Sequence, residues 1–215
     1  MPQPLARKPV NAYHHGDLRE ALIAAALQEA EQGGAEAISI KALAKKLGVS
    51  QPAPYRHFAD REALLAAVAA EAFRQFSAKL REATDKPSKR SKLSRFAQAM
   101  LDFGLRRNGI FRLMFASRVI ACAAADSELH AVTRETFALL VDALEAPAAG
   151  LLRERAALKI WASMHGVVML AEQGLFTGDM AGTTREQLVE ELVAEAKLSL
   201  SAAIDAARRE GAAKD

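Results

Sequence analysis

The chain has 215 residues and one cysteine, Cys122. That excludes an intramolecular disulfide and any multi-thiolate metal site, and it fits a reducing, cytoplasmic location. No apolar run reaches the ~18 residues of a membrane span, and the opening MPQPLARKPVNAYHHG lacks the apolar stretch of a signal peptide. A cytoplasmic chain with no membrane partner is therefore expected. Also missing are a Gly-rich phosphate loop, a Ser-His-Asp ordering, a paired-carboxylate signature and a zinc spacing. These absences argue against an enzyme and call for no cofactor. His14 and His15 are adjacent, so they do not share a helix face, and no acidic or thiol cluster completes a metal set. Beside Gly16 they are better placed to cap a first helix or touch phosphate. Cys122, with no base nearby in sequence, reads as a buried or incidental thiol.

What the chain does have is apolar surface: 51% of residues are hydrophobic and 26% charged, with twelve glycines and seven prolines, enough for a core and unlike a disordered chain. The net charge of +3 permits a nucleic-acid partner without requiring one. Its distribution says more. Lys41, Lys45, Lys46, Arg56 and Arg61 lie close together with Asp60 as the opposing acid. A second basic run, Lys86 to Arg95, reads as a linker and the start of a helix.

Periodicity predicts helices throughout and no strand. Residues 1–12, with three prolines, form an expected flexible arm. A helix begins near Gly16 with Leu18, Leu22, Ala25 and Ala26 on one face and stops at Gly33-Gly34. Ile40, Leu43, Ala44 and Leu47 stand at i, i+3, i+4 and i+7 on a short helix with Ser39 as N-cap and Gly48 as its end. Ser50 is placed to cap the next helix, and Asp60 a longer one through Leu64, Val68, Phe76 and Leu80. The polar TDKPSKRSK, 84–92, suggests a boundary. Further helices are expected from Leu93 to Asn108-Gly109, over GIFRLMFAS, from Ser127 towards Leu144, from Leu158 to Gly174, and, behind a Thr184/Gln187 capping box, through about Arg208. The expected organisation is an arm at 1–12, a helix-turn-helix unit at 13–59, a connecting helix at 60–83 and a larger helical unit at 84–215.

Two short helices joined by Gly48-Val49-Ser50 satisfy helix-turn-helix geometry, which an ordinary αα-hairpin shares. The residues that follow favour DNA. Gln51 has the two-pronged hydrogen bonding that suits adenine, Arg56 suits guanine or phosphate, and Tyr55 and His57 reach the backbone. Pro52 fits a first helical turn, where its missing N–H removes no bond. Pro54 would remove the first bond back to Ser50, so it distorts the helix while offering an apolar knob to the core.

YHHGDLREALIAAALQEAEQGG, ISIKALAKKLGVS and PYRHFADREALLAAV together resemble the N-terminal DNA-binding domain of TetR-family transcriptional regulators. WASMHGVVMLAEQG, from Trp161 to Gly174, is similar to the tryptophan-histidine-glycine subclass of their ligand domains, although here Trp161 is separated from His165-Gly166. The resemblance implies an all-α homodimer: an N-terminal helix-turn-helix domain, then a larger helical ligand-binding and dimerisation domain. Two recognition helices would enter successive major grooves of a palindromic double-stranded operator, usually to repress. It places Ser39 and Arg61 on phosphates and Gln51, Ala53, Tyr55 and His57 on the recognition helix, with Ala53 suited to a thymine methyl. Ser50, Pro52 and Arg56 complete the expected DNA-binding set. Where relatives often carry Leu or Val, this chain has Pro54.

In the C-terminal part Met100, Phe103, Phe111, Met114, Phe115, Phe137, Trp161, Met164 and His165 are the expected lining of an effector pocket between helices, the same residues being equally suited to a core. His165 reads either as a polar contact facing that cavity or as a satisfied core histidine. The last two helices carry apolar stripes wide enough for a core and a second copy of the chain. The competing readings are a helical ligand-binding protein or enzyme that retains a nonfunctional helix-turn-helix, and a protein-interaction adaptor using the apolar C-terminal helices.

Overall fold

The computed structural model describes residues 15–115, 117–146, 150–176 and 182–212, with side chains from Leu18 to Glu210. The expected arm at 1–12 and His14 lie outside the described residues. Among the described residues there is no strand, and no helix is long and apolar enough to cross a membrane. The fold is all-α.

Helix α1, His15–Gly33, buries Leu22, Ala26 and Ala30 completely and passes into a 3-10 turn, Gly34–Ala37. Helix α2, Ile40–Lys46, begins where Ser39 accepts the Ala42 N–H at 3.4 Å and buries Ile40, Leu43 and Ala44. Gly48 then takes φ +68, a left-handed conformation in which an L side chain is strained.

A second α-helix does not follow. Only Pro54–Arg56 is helical, and it is a 3-10 turn with no side-chain cap, so Ser50 does not play the capping part expected of it. The reason lies at Pro54, which has no N–H to bond back to Ser50 and whose ring crowds the Ser50 carbonyl. The bonds that form are mostly of the tighter i to i−3 kind, Ala53 to Ser50, Arg56 to Ala53 and His57 to Pro54. Pro54 is buried, as the expected knob.

Helix α3, Arg61–Asp85, is capped by Asp60, whose carboxylate accepts the Ala63 N–H at 2.7 Å. It is the spine, touching α1 at one end and α4 and α7 along the rest. Where it meets α7, Ser77 and Thr136 share a buried hydrogen bond of 2.7 Å; the Thr136 hydroxyl donates to Val132 O, so it accepts from Ser77. The remaining helices are α4 (Lys92–Arg106), α5 (Asn108–Phe115), the single turn α6 (Val119–Cys122), α7 (Glu128–Ala143), α8 (Leu151–Glu172) and α9 (Arg185–Ala212). The capping box ahead of α9 forms in both directions, Gln187 N–H to Thr184 Oγ1 at 3.1 Å and Thr184 N–H to Gln187 Oε1 at 2.9 Å. Turn α6 carries no apolar period of its own and was not anticipated. Cys122, at its end, is exposed rather than buried.

The N-terminal unit and the larger helical body meet backbone to backbone. A Cβ added at Gly109, the second residue of α5, would lie 2.1 Å from Ala30 O and 2.6 Å from Glu31 O. No residue but glycine allows α5 to start this close to α1 without a shift.

Candidate nucleic-acid interface

Arginine finishes what the caps begin. Arg61, the first residue of α3, donates from Nε to Ile38 O at 3.1 Å and from Nη2 to Ala35 O at 2.6 Å. Both carbonyls lie where the 3-10 turn after α1 ends: Ala35 O also accepts the Ile38 N–H at 3.2 Å, and one guanidinium reaches it and Ile38 O at once. Arg95 does the same at the end of α3, on Ala83 O and Lys86 O, and Arg153 at the end of α7, on Val141 O at 2.8 Å. At Arg61 the consequence is positional: α3 is tied to the segment that leads into α2, so the turn between them is held at both ends.

The turn lies on the surface with Ser39, Gln51, Pro52 and Tyr55 around an open groove of about 760 Å3, which Lys41 and Arg61 also border. Gln51 and Arg56 are exposed, and Tyr55 keeps 55% of its surface in solvent although it is the bulkiest side chain of the turn. An aromatic ring this exposed, beside polar donors, presents an apolar face and a hydroxyl to whatever the groove meets. Ser50, Ala53, Arg56 and His57 belong to the turn but do not line the groove; Ala53 and His57 are half-buried. Lys41, part of the local positive charge but outside the expected DNA-binding set, also borders the groove. It stands two residues after Ser39, at the start of α2. Lys46, counted with it, is engaged elsewhere, bonding Glu29 at 2.7 Å. Beneath the turn Phe58 is buried, with the Arg19 guanidinium 5.6 Å from its ring centre.

The residues expected to line an effector pocket come together, but as packed side chains. Met100, Phe111 and Met114 are fully buried and Phe103 and Met164 nearly so, while Phe115, Phe137, Trp161 and His165 are half-buried. Their rings form one chain: Phe111 stacks on His165 at 5.1 Å, Phe115 meets His165 edge-on at 5.1 Å and Trp161 at 5.8 Å, and Trp161 meets Phe137 at 6.1 Å. Desolvation in this setting pushes the His165 pKa below its ordinary value of 6.5, so the neutral imidazole is the favoured form. Among the larger surface cavities, Phe103 is the one expected residue that borders any. The described residues contain no cluster of three or more His, Cys, Asp or Glu able to hold a metal ion.

A compact N-terminal unit that displays polar residues on a turn between two capped helices, docked on a larger helical body, defines a helix-turn-helix regulator. The comparisons give the family. Residues 22–68 match the model of bacterial regulatory proteins of the tetR family, and residues 93–196 match that of the tetracyclin repressor-like C-terminal domain. The chain belongs to the TetR family of transcriptional regulators. It is similar to a Rhodococcus protein of unknown function (28% identity, TM-score 0.68, covering 89% of this chain and 97% of that one). It is also similar to a protein described as regulatory (28%, 0.67, 88% and 98%). A tetR-family regulator from Streptomyces coelicolor, 17% identical with a TM-score of 0.63 over 92% of this chain and 86% of that one, shares the fold. No curated protein gives a significant match.

Proposed function

We propose that the protein is a cytoplasmic repressor that binds a palindromic double-stranded operator as a homodimer and is released by a small-molecule effector. The observation that carries this reading is the groove where Gln51 and Tyr55 stand exposed beside Ser39 and Lys41. Gln51 reads base edges, Tyr55 packs against sugar and phosphate, and Lys41 and Ser39 bind phosphate. Arg61 has Nε and Nη2 on carbonyls, so its part is mainly to position the turn, with Nη1 and the second Nη2 hydrogen left to donate. A single 3-10 turn offers few base contacts. Two of them about 34 Å apart on a dimer match successive half-sites and combine their discrimination.

The dimer face is the outer side of α8 and α9. Leu151, Leu158 and Leu170 on α8 and Leu198 on α9 are between 45% and 74% exposed, and Leu158, Ala162, Gly166 and Leu170 follow at four-residue spacing. Exposed leucines so aligned are costly in water and are covered by a second copy. The effector acts in the body, where the packed aromatic chain around His165 has to part to admit it. Release requires it to prefer the non-binding state, by about 5.5 kcal/mol for a full reversal from 1:99 to 99:1.

One observation favours a second reading. The recognition element is a turn where the family has a helix, as in a ligand-binding protein whose helix-turn-helix no longer functions. Selection of bound fragments from sheared genomic DNA separates the two. A recovered palindrome, bound by dimeric protein far better than a scrambled control, supports the regulator; folded dimer with no preference supports the alternative.

A further inference from the structure

The outer seam between α3 and α4 holds a cavity of about 620 Å3, within the range of about 300–1,000 Å3 usual for small-molecule sites. Its floor is apolar, made by Ala78, Ala83, Ala99 and the ring of Phe103. Behind the floor Phe103 lies 4.8 Å from Phe76, and Phe76 6.2 Å from Phe115. The cavity therefore stands over the outer end of the aromatic chain that continues to Trp161 and His165.

Its rim is basic: Lys79, Lys86, Arg106 and Arg107 face the carboxylates of Glu82 and Asp102. Lys79 and Lys86 both bond Glu82 at 2.9 Å, holding its carboxyl down to about 2, and the trio remains positive by one charge. Arg106, exposed in the last turn of α4, pairs with no carboxylate among the described residues. Arg107 is shared. It donates from Nε to Glu31 at 2.6 Å and from Nη1 to Gln75 at 2.8 Å, with its guanidinium carbon 5.5 Å from the centre of the Phe103 ring. An apolar floor under surplus positive charge complements a molecule with an apolar tail and one carboxylate. A cation would be repelled, and a neutral alcohol would leave the surplus charge unanswered.

We propose that this seam binds an amphipathic monocarboxylate, with its head on Arg106 and Arg107 and its tail over Phe103, and that the carboxylate competes with Glu31 for Arg107. Glu31 belongs to α1 and Arg107 directly follows α4, so their ion pair joins the N-terminal unit to the body. A ligand that draws Arg107 away loosens that joint, which gives the seam control over the recognition turn. This second step rests on the operator-binding reading; the site itself does not.

The test uses the full-length protein with the fluorophore 1-anilinonaphthalene-8-sulfonate, displaced by decanoate, decylamine or decanol. Decanoate is expected to act at a concentration at least about tenfold below either control, a difference of about 1.4 kcal/mol. Arg106→Gln, an exposed change that leaves the helical circular-dichroism spectrum intact, is expected to abolish the preference. Equal displacement by all three, or a preference that survives in Arg106→Gln, overturns the site. With a recovered operator, decanoate and the Glu31→Gln variant are each expected to weaken DNA binding; if decanoate binds at the seam with operator affinity unchanged, the competition for Arg107 is overturned and the site stands. A protein that prefers decanoate and binds no DNA keeps the site and loses the regulator.

Discussion

Helix α2 and the recognition turn follow one another in the chain and are held in place by different means. α2 is specified locally: Ser39 caps it, an apolar stripe at helical spacing faces the core, and Gly48 stops it. The turn has no side-chain cap, two residues without an N–H, and a handful of short-range bonds. Its position comes from outside, through Pro54 and Phe58 buried beneath it and Arg61 fastening α3 to the carbonyls ahead of α2. The exposed surface of the turn is therefore built by tertiary packing rather than by helix propensity, and its solvent-facing side chains are nearly independent of the fold's stability.

That contrast can be broken or sharpened by substitution. The largest effect is expected far from the turn. Phe111→Ala removes a fully buried ring from the stack on His165 and should cost about 3–5 kcal/mol in urea unfolding. Gly109→Ala forces a methyl into the carbonyls of Ala30 and Glu31; a loss of about 1–3 kcal/mol is expected, together with weaker operator binding because α1 must move. A variant as stable as the parent would show that the joint between unit and body is loose.

Gln51→Ala and Tyr55→Ala should invert the pattern, changing stability by less than about 0.5 kcal/mol while weakening operator binding by about 1–3 kcal/mol. Thermal melts and binding isotherms on the same preparations decide it. Ser39→Ala should remove about 1 kcal/mol by loss of the cap, and it should shift α2 and the turn together. Pro54→Ala probes the turn alone: a regained N–H lets it extend towards an α-helix, so helical ellipticity should rise slightly even as the buried knob is lost.

The smallest expected effect is a pH dependence. His165 resists protonation in the folded state, so the unfolded chain takes up a proton first as pH falls below about 6.5. Stability is therefore full above that value and declines as pH drops towards the lowered folded pKa, below which the loss stops growing. His165→Gln should flatten this part of the profile; an unchanged slope between pH 7 and 5 would mean that other groups produce it.

Most of the fold was legible because its signals are local. Ser39, Asp60 and Ser127 cap the helices they precede in the sequence, and the Thr184/Gln187 box closes as its spacing suggests. Where the outcome depended on distant partners, sequence patterns were silent. Pro54 was readable as a disturbance, but whether a helix survives it depends on packing. Arg61, expected on phosphate, spends two donors on carbonyls 23 and 26 residues away. Nor could periodicity distinguish a pocket from a core: the rings around Trp161 and His165 have the same spacing whether a cavity separates them or, as here, they touch.

The DNA-reading role proposed for the exposed turn rests on Gln51. It is tested most directly by measuring the affinity of the parent and Gln51→Ala for a genomically selected palindrome and its scrambled control, at two salt concentrations. A preference for the palindrome is expected, smaller in Gln51→Ala, with affinity for both sequences falling as salt rises. Equal affinity of the parent for palindrome and scramble, or a preference that Gln51→Ala leaves whole, would contradict it.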